Sequence, residues 1–102
     1  MTTALVITTY NAPLDLRCTL LSVARQTVMP DEIIIADDGS REPTREMIES
    51  FRPIFGDRLV HVWQPDEGFQ LSRIRNRAIA AAKSDYIIMI DGDMILDRRF
   101  IA

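Results

Sequence analysis

The chain of 102 residues lacks several features that define common classes of protein. Its only cysteine is Cys18, so no disulfide bond can form within the chain. It has 12 basic and 15 acidic side chains and a net charge of -3, and it therefore lacks the basic surface that nonspecific nucleic-acid binding needs. No apolar run is long enough to cross a bilayer, and the N-terminus does not resemble a secretion signal. We expect a cytoplasmic protein, which could work at the inner face of the membrane, with no membrane span and no nucleic-acid partner.

Two common phosphate-binding motifs are also missing. The sequence contains neither Gly-x-Gly-x-x-Gly nor a Gly-Lys-Ser/Thr loop, which argues against a dinucleotide site or a phosphate loop of the usual kind. The single histidine, His61, lies inside an apolar run, and we interpret it as a structural side chain that finds a partner within the fold.

The apolar pattern predicts alternating strands and helices. Four short runs predict strands at 4–8, 32–37, 59–64 and 86–91, and three of them are nearly continuous in aliphatic residues, as in parallel strands buried on both faces. Segments of helical spacing lie between them at 14–27, 43–51 and 71–83. This order predicts an α/β fold, Rossmann-like, with three α/β/α layers and a mostly parallel sheet. We also expect Cys18 on the core-facing side of the first helix, and Met89 and Met94 in the core.

Polar residues follow each predicted strand, at the edge where ligands bind in open α/β sheets. They are Thr8 to Asn11, Asp37 to Ser40, Gln64 to Phe69, and Asp91-Gly92-Asp93. Asp91 and Asp93 could hold a phosphate through a hard divalent cation, Mg2+, Mn2+ or Ca2+. The Asp38 carboxylate could accept hydrogen bonds from a base or a sugar, and Tyr10 offers a flat face to a nucleobase. We interpret Asp37 as a cap of its turn through Ser40.

These residues carry a resemblance to a known family. The segments VITTYN, IIIADDGS and RNRAIAAAKSDYIIMIDGD, in this order, resemble the N-terminal half of a family-two glycosyltransferase of the GT-A fold, over essentially the whole chain. The stretch WQPDEGFQLSRIRNRAI is similar to bacterial galactosyltransferase-like and chondroitin-polymerase-like members. The resemblance implies a UDP-sugar donor, Mn2+ or Mg2+ as cofactor, and inverting transfer to a saccharide hydroxyl in polysaccharide or glycan synthesis.

The resemblance also implies roles for individual residues. Asp93 would be the main metal ligand, with Asp91 near the ribose or the metal-bound waters. The expected nucleotide-sugar-binding set, which also includes those two aspartates, is Thr8, Tyr10, Asn11, Asp38, Arg73, Asn76 and Arg77. Within this set, the two arginines are candidate contacts to the base or the phosphates, and a solvated helix face explains them equally well.

One part of the family's machinery has no match here. The carboxylate base of the family lies in the second half of its domain, so we expect no catalytic residue in this chain and little or no transfer by the chain alone. Residues 1–102 would then be the donor-binding part of a domain truncated at its C-terminus, and the unfinished sheet could support self-association. Two alternatives remain: a receiver-like phosphoacceptor domain, and a non-catalytic nucleotide-binding or assembly module.

Overall fold

The computed structural model describes residues 1–68 and 70–101. Its strands are β1 (Thr3–Thr9), β2 (Glu32–Asp37), β3 (Leu59–Trp63) and β4 (Tyr86–Asp91), and its helices are α1 (Pro13–Ala24), α2 (Glu42–Glu49), α3 (Arg52–Phe55) and α4 (Leu71–Ala81), with a 3₁₀ turn at Gly56–Arg58. All four strands and the three longer helices agree with the prediction to within a few residues at their ends. The short helix α3 and the 3₁₀ turn were not predicted, because a single turn carries too little periodicity to be recognised.

The sheet has the strand order β3-β2-β1-β4, and every pair is parallel. Its two central strands are completely buried along their aliphatic residues, as the continuous runs predicted. Val6 lies opposite Ile34 in the register, and Ile7 lies opposite Ile35 on one side and Ile90 on the other. Each fully buried aliphatic side chain of this kind contributes about 1.5–3 kcal/mol, so the centre of the sheet holds the domain together.

Helices cover the two faces of the sheet, which gives the three predicted layers. One core contains Leu16, Leu20 and Val23 of α1 packed on Leu5 and Ile7 of β1, together with residues of α2 and α3. The helix α1 begins at Pro13, whose fixed backbone angle suits the first turn of a helix. The other core is smaller and lies under α4, where the small residues Ala4, Ala36 and Ala78 pack around Val6, Ile34 and Ile74.

The prediction that β4 is buried on both faces is wrong. The strand lies at the edge of the sheet, and α4 packs mainly over β1, β2 and β3. Ile87 and Met89, which point to the α4 side of the sheet, are therefore 38% and 39% exposed, whereas Ile90 on the opposite face is buried. Met94, just after the strand, is also exposed at 40%, so neither methionine fills the core.

Cys18 is exposed, which corrects its expected position in the core. The buried stripe of α1 runs through Leu16, Leu20 and Val23, and a residue two positions after Leu16 lies on the opposite side of a helix with 3.6 residues per turn. The described residues include no helix of the length and apolar character needed to cross a membrane.

Candidate functional site

The carboxyl ends of β1, β2 and β4 meet around one cleft. This cleft, which we call the carboxyl-edge cleft, has a volume of about 340 Å³ and is lined by Thr8, Thr9, Tyr10, Asp38, Leu71 and Asp91. A smaller concavity of about 150 Å³ continues from it between Tyr10, Asp38, Asp66 and Gly68. The fold therefore brings together residues that three separate motifs supply.

A larger concavity, of about 560 Å³, lies at the opposite edge of the sheet. Its lining includes Thr2, Asp31, Glu32, Asp57 and Lys83. None of the residues selected from the sequence lies there, and open α/β sheets bind ligands at the carboxyl ends of their strands. We therefore regard the carboxyl-edge cleft as the candidate site in spite of its smaller volume.

Asp38 is a buried carboxylate that is held from two sides. Its side chain is only 5% exposed, although it lines the cleft. Its Oδ1 accepts a hydrogen bond of 2.7 Å from Nε2 of Gln64, and its Oδ2 accepts one of 2.9 Å from the backbone N–H of Gln70. These two donors offset the cost of burying the charge and fix the direction of both oxygens.

The neighbouring Asp37 shapes the turn that presents Asp38. Its Oδ1 accepts a hydrogen bond of 2.8 Å from the backbone N–H of Ser40, and its Oδ2 lies 2.8 Å from Nε2 of His61. The predicted capping role of Asp37 and the predicted structural role of His61 are both confirmed. Gly39, within this turn, has a φ of +89° and lies directly under the backbone of Asp66.

Asn11 connects the first two turns of the site. Its backbone N–H donates to Oγ of Ser40 at 2.8 Å, and its side-chain oxygen accepts from the backbone N–H of Arg41 at 2.7 Å. Its φ of 45° lies in the left-handed region that asparagine tolerates better than most residues. The structure therefore uses the Asn11 side-chain oxygen within the protein, and this residue is not among those lining the cleft.

Tyr10 stands at the mouth of the cleft, with 49% of its surface exposed. Its hydroxyl donates a hydrogen bond of 2.7 Å to Oδ2 of Asp66, which lies in the loop after β3. This bond to a carboxylate raises the pKa of Tyr10 above its ordinary value. The hydroxyl is therefore engaged with the loop, while the ring remains open to the cleft.

The Asp91-Gly92-Asp93 turn packs directly on the end of β1. Asp91 Oδ1 accepts a hydrogen bond of 3.1 Å from Oγ1 of Thr8. A Cβ on Gly92 would lie 2.5 Å from the carbonyl oxygen of Thr8, so only glycine permits this approach. Both aspartates are exposed, and Asp91, but not Asp93, is among the residues that line the cleft.

The donor set of this turn fits a hard divalent cation bound mainly by other ligands. In residues 1–68 and 70–101, no group of three or more His, Cys, Asp or Glu side chains is arranged to hold a metal ion. Asp91 and Asp93 would therefore supply one or two carboxylates and leave the remaining positions to water and a ligand. Mg2+ is commonly bound in this way, with few carboxylates and substrate phosphates.

The three residues predicted on α4 lie outside the cleft. Arg73 donates through Nε to Oε1 of Gln64 at 3.2 Å and through Nη2 to Oε1 of Glu67 at 2.9 Å. Asn76 and Arg77 are exposed. The face of α4 that packs on the sheet is defined by Ile74 and Ala78.

The sequence reasoning missed Arg75. This residue lines a concavity of about 170 Å³ together with Thr8, Met89 and Asp91, and its Nε is buried without a hydrogen-bond partner among the described residues. The position of Arg75 in the helical repeat is the sequence signal that could have identified it. Leu71 lines the cleft, and Arg75, four residues later, lies on the same face of α4. Gln64 was noted only as a polar residue after the third strand, and its hydrogen bond to Asp38 was not predicted, because the sequence does not show which residues meet across the edge of the sheet.

The fold and the site define an α/β protein with a candidate ligand cleft at the carboxyl edge of a parallel sheet. The chain belongs to glycosyl transferase family 2, whose family model matches residues 4–102. This match, with the absence of an acidic pair at the end of β1, sets aside the receiver-like alternative.

Known proteins are similar to this chain in sequence or in fold. Chondroitin synthase of Escherichia coli is 38% identical over 92 residues, which are 89% of this chain and 13% of that protein. The chain therefore spans a small part of this curated relative. The crystal structure of TarS 1-349 from S. aureus in complex with UDP is 22% identical, with a TM-score of 0.87 over 99% of this chain and 30% of that one. The mannosyltransferase PcManGT from Pyrobaculum calidifontis, in complex with GDP-Man and Mn2+, is 20% identical, with a TM-score of 0.80 over 94% and 29% of the two chains.

Proposed function

We propose that this chain is the donor-binding part of a metal-dependent, inverting glycosyltransferase that transfers a sugar from a UDP-sugar to a saccharide hydroxyl. One observation supports this most strongly: an exposed aromatic ring, a buried carboxylate held by two hydrogen bonds, and Asp91 of the exposed Asp-x-Asp turn line the same cleft. These are the groups that a base, a ribose and a metal-bound diphosphate would need.

In this proposal the cleft residues contact different parts of the donor. The Tyr10 ring stacks on the uracil, and the Asp38 carboxylate, which can only accept hydrogen bonds when ionised, accepts from an N–H of the base. Thr8 and Asp91 lie at the ribose, and Asp93 is the main metal ligand. Arg75 lies close enough to Asp91 to meet the diphosphate, because both line the same concavity.

The remaining predicted residues take supporting positions. Asn11 ties the turns after β1 and β2 together, and Arg73 is engaged with Gln64 and Glu67. Asn76 and Arg77 are assigned to the outer rim, where they could contact the donor's phosphates or the acceptor. Residues 1–102 would then act as one donor-binding unit.

A divalent cation, when bound, would neutralise the diphosphate and make it a better leaving group. Carboxylate ligation suits both Mn2+ and Mg2+. The structure of PcManGT in complex with GDP-Man and Mn2+ supports a metal in this position by analogy.

Neither of the two carboxylates on the loop after β3 is free to act as the inverting base. Asp66 accepts a hydrogen bond from Tyr10, and Glu67 is paired with Arg73 on the loop that borders the cleft. We therefore place the base and most acceptor contacts outside this chain, which binds the donor without transferring its sugar. The similarity to a chondroitin synthase supports a role in polysaccharide synthesis, on the cytoplasmic side where a lone, reduced cysteine is expected.

Calorimetric titration of UDP tests the proposal. We expect binding in the presence of Mn2+, and a loss of about tenfold or more in affinity for Asp93→Asn, because one charged metal ligand is removed. Asp57→Asn is the matched control, since Asp57 lies at the opposite edge of the sheet. Circular dichroism verifies that each variant folds. The proposal is overturned if UDP does not bind to the folded wild type, or binds equally well without metal and to both variants.

A further inference from the structure

We infer that Gln64 and Arg73 form a relay that positions Asp38, so that Arg73 acts on the nucleobase pocket without contacting the ligand. This inference rests on the proposed donor-binding function of the carboxyl-edge cleft. It starts from Gln64, a completely buried amide at the end of β3.

The hydrogen bonds of Gln64 use both of its side-chain donors. Nε2 donates to Oδ1 of Asp38 at 2.7 Å and to the carbonyl oxygen of Gln70 at 3.1 Å. Oε1 accepts from Nε of Arg73 at 3.2 Å. A buried amide with these three bonds has one preferred orientation, because a buried donor without an acceptor is costly.

Arg73 reinforces the orientation of that amide in which the NH₂ group faces Asp38 and the carbonyl oxygen of Gln70. The two ends of a glutamine amide have nearly the same shape, and only their hydrogen-bond partners distinguish them. A guanidinium has donors and no acceptor, so it selects the oxygen of Gln64 and leaves the NH₂ group for the carboxylate. The reverse orientation would place an amide oxygen against Asp38, where two acceptors would repel each other.

Arg73 is itself held from the solvent side by Glu67, at 2.9 Å. The chain of contacts therefore runs from Glu67 on the loop, through Arg73 and Gln64, to Asp38 in the cleft. The Asp38 carboxylate oxygens are therefore already oriented before a ligand binds, so less conformational entropy is lost on binding. The class of ligand selected is a nucleobase that offers an N–H to this carboxylate, such as uracil.

Arg73→Met is the most direct test, because Arg73 is partly exposed and its loss removes one donor without opening the core. Glu67→Gln is the matched control that weakens the outer ion pair and keeps the Arg73–Gln64 bond.

The first measurement needs no ligand: hydrogen exchange of the Gln64 side-chain NH₂ by NMR. We expect protection in the wild type and in Glu67→Gln, and at least a tenfold loss of protection in Arg73→Met. Equal protection in all three proteins would overturn the relay.

The second measurement compares uridine with UDP, in Mg2+, by NMR titration. A positioning role predicts that Arg73→Met weakens both ligands by the same factor, about tenfold, because both share the base that Asp38 contacts. A loss confined to UDP would mean that Arg73 contacts the phosphates and would overturn the inference. An unchanged affinity for both ligands would overturn it as well. If the wild type binds neither ligand, the proposed function fails, and the exchange measurement alone decides whether the relay exists.

Discussion

The contact between Gly39 and the loop after β3 allows a sharp test of how the site is held. Gly39 has a φ of +89°, and a Cβ at this position would lie 2.5 Å from the backbone nitrogen of Asp66 and 2.6 Å from its Cα. Backbone atoms cannot rotate away as the end of a side chain can. Gly39→Ala should therefore displace the loop that carries Asp66.

The expected cost has two parts. An alanine in the left-handed region costs about 1–2 kcal/mol, and overpacking against a neighbour adds about 1–3 kcal/mol. We expect Gly39→Ala to lower the free energy of unfolding by about 2–5 kcal/mol, a large share of the stability of a small domain. Gly68→Ala is the control, because Gly68 has a similar φ of +83° and its Cβ would meet nothing within 4 Å among the described residues. Gly68→Ala should cost only the part that comes from placing an alanine in the left-handed region.

Urea denaturation followed by circular dichroism measures both variants, with the midpoint and slope compared. A second readout is the titration of tyrosine absorbance. Displacement of Asp66 would remove the main cause of the raised Tyr10 pKa, so this pKa should fall towards its ordinary value in Gly39→Ala only. If Gly39→Ala is no more destabilising than Gly68→Ala, the close packing of the loop on the turn is refuted.

Two further predictions concern residues away from the cleft. Hydrogen bonds from the hydroxyl of Ser84, and then from the backbone N–H of Lys83, lower the pKa of Glu32. The Glu32 carboxylate therefore stabilises the fold above its unfolded pKa, and this stabilisation is lost as the pH falls through its folded pKa. In Ser84→Ala the free energy of unfolding, measured by urea denaturation at several pH values, should therefore fall less steeply below about pH 4.5 than in the wild type. Ser72→Ala, at an exposed serine, is the control. The same dependence of the unfolding free energy on pH in all three proteins would contradict this. Cys18 is exposed, so a thiol reagent should label it in the folded protein nearly as fast as in urea, and labelling limited by global unfolding would disprove its placement.

The secondary structure was predictable because the local pattern is strong where the chain is buried. The run Ile33 to Ile35 predicted a strand at 32–37 that is buried on both faces, and β2 (Glu32–Asp37) has these bounds and this burial. The run before Asp91 has the same character, yet β4 is an edge strand with one uncovered face. The order of strands is set by the crossover connections between them, and a local apolar pattern contains no information about neighbours.

The sequence by itself determined which strand ends contribute residues to the candidate site. It placed Tyr10, Asp38, Asp91 and Asp93 after three different strands, and parallel strands necessarily bring such ends to one edge. Only the tertiary structure decided which side chains support them. Gln64 and Gln70 reach Asp38 across 26 and 32 positions of the chain. These partners depend on the rotation of α4 about its axis and on the path of the loop after β3. Tertiary packing determines both, and the local spacing of residues in the sequence does not.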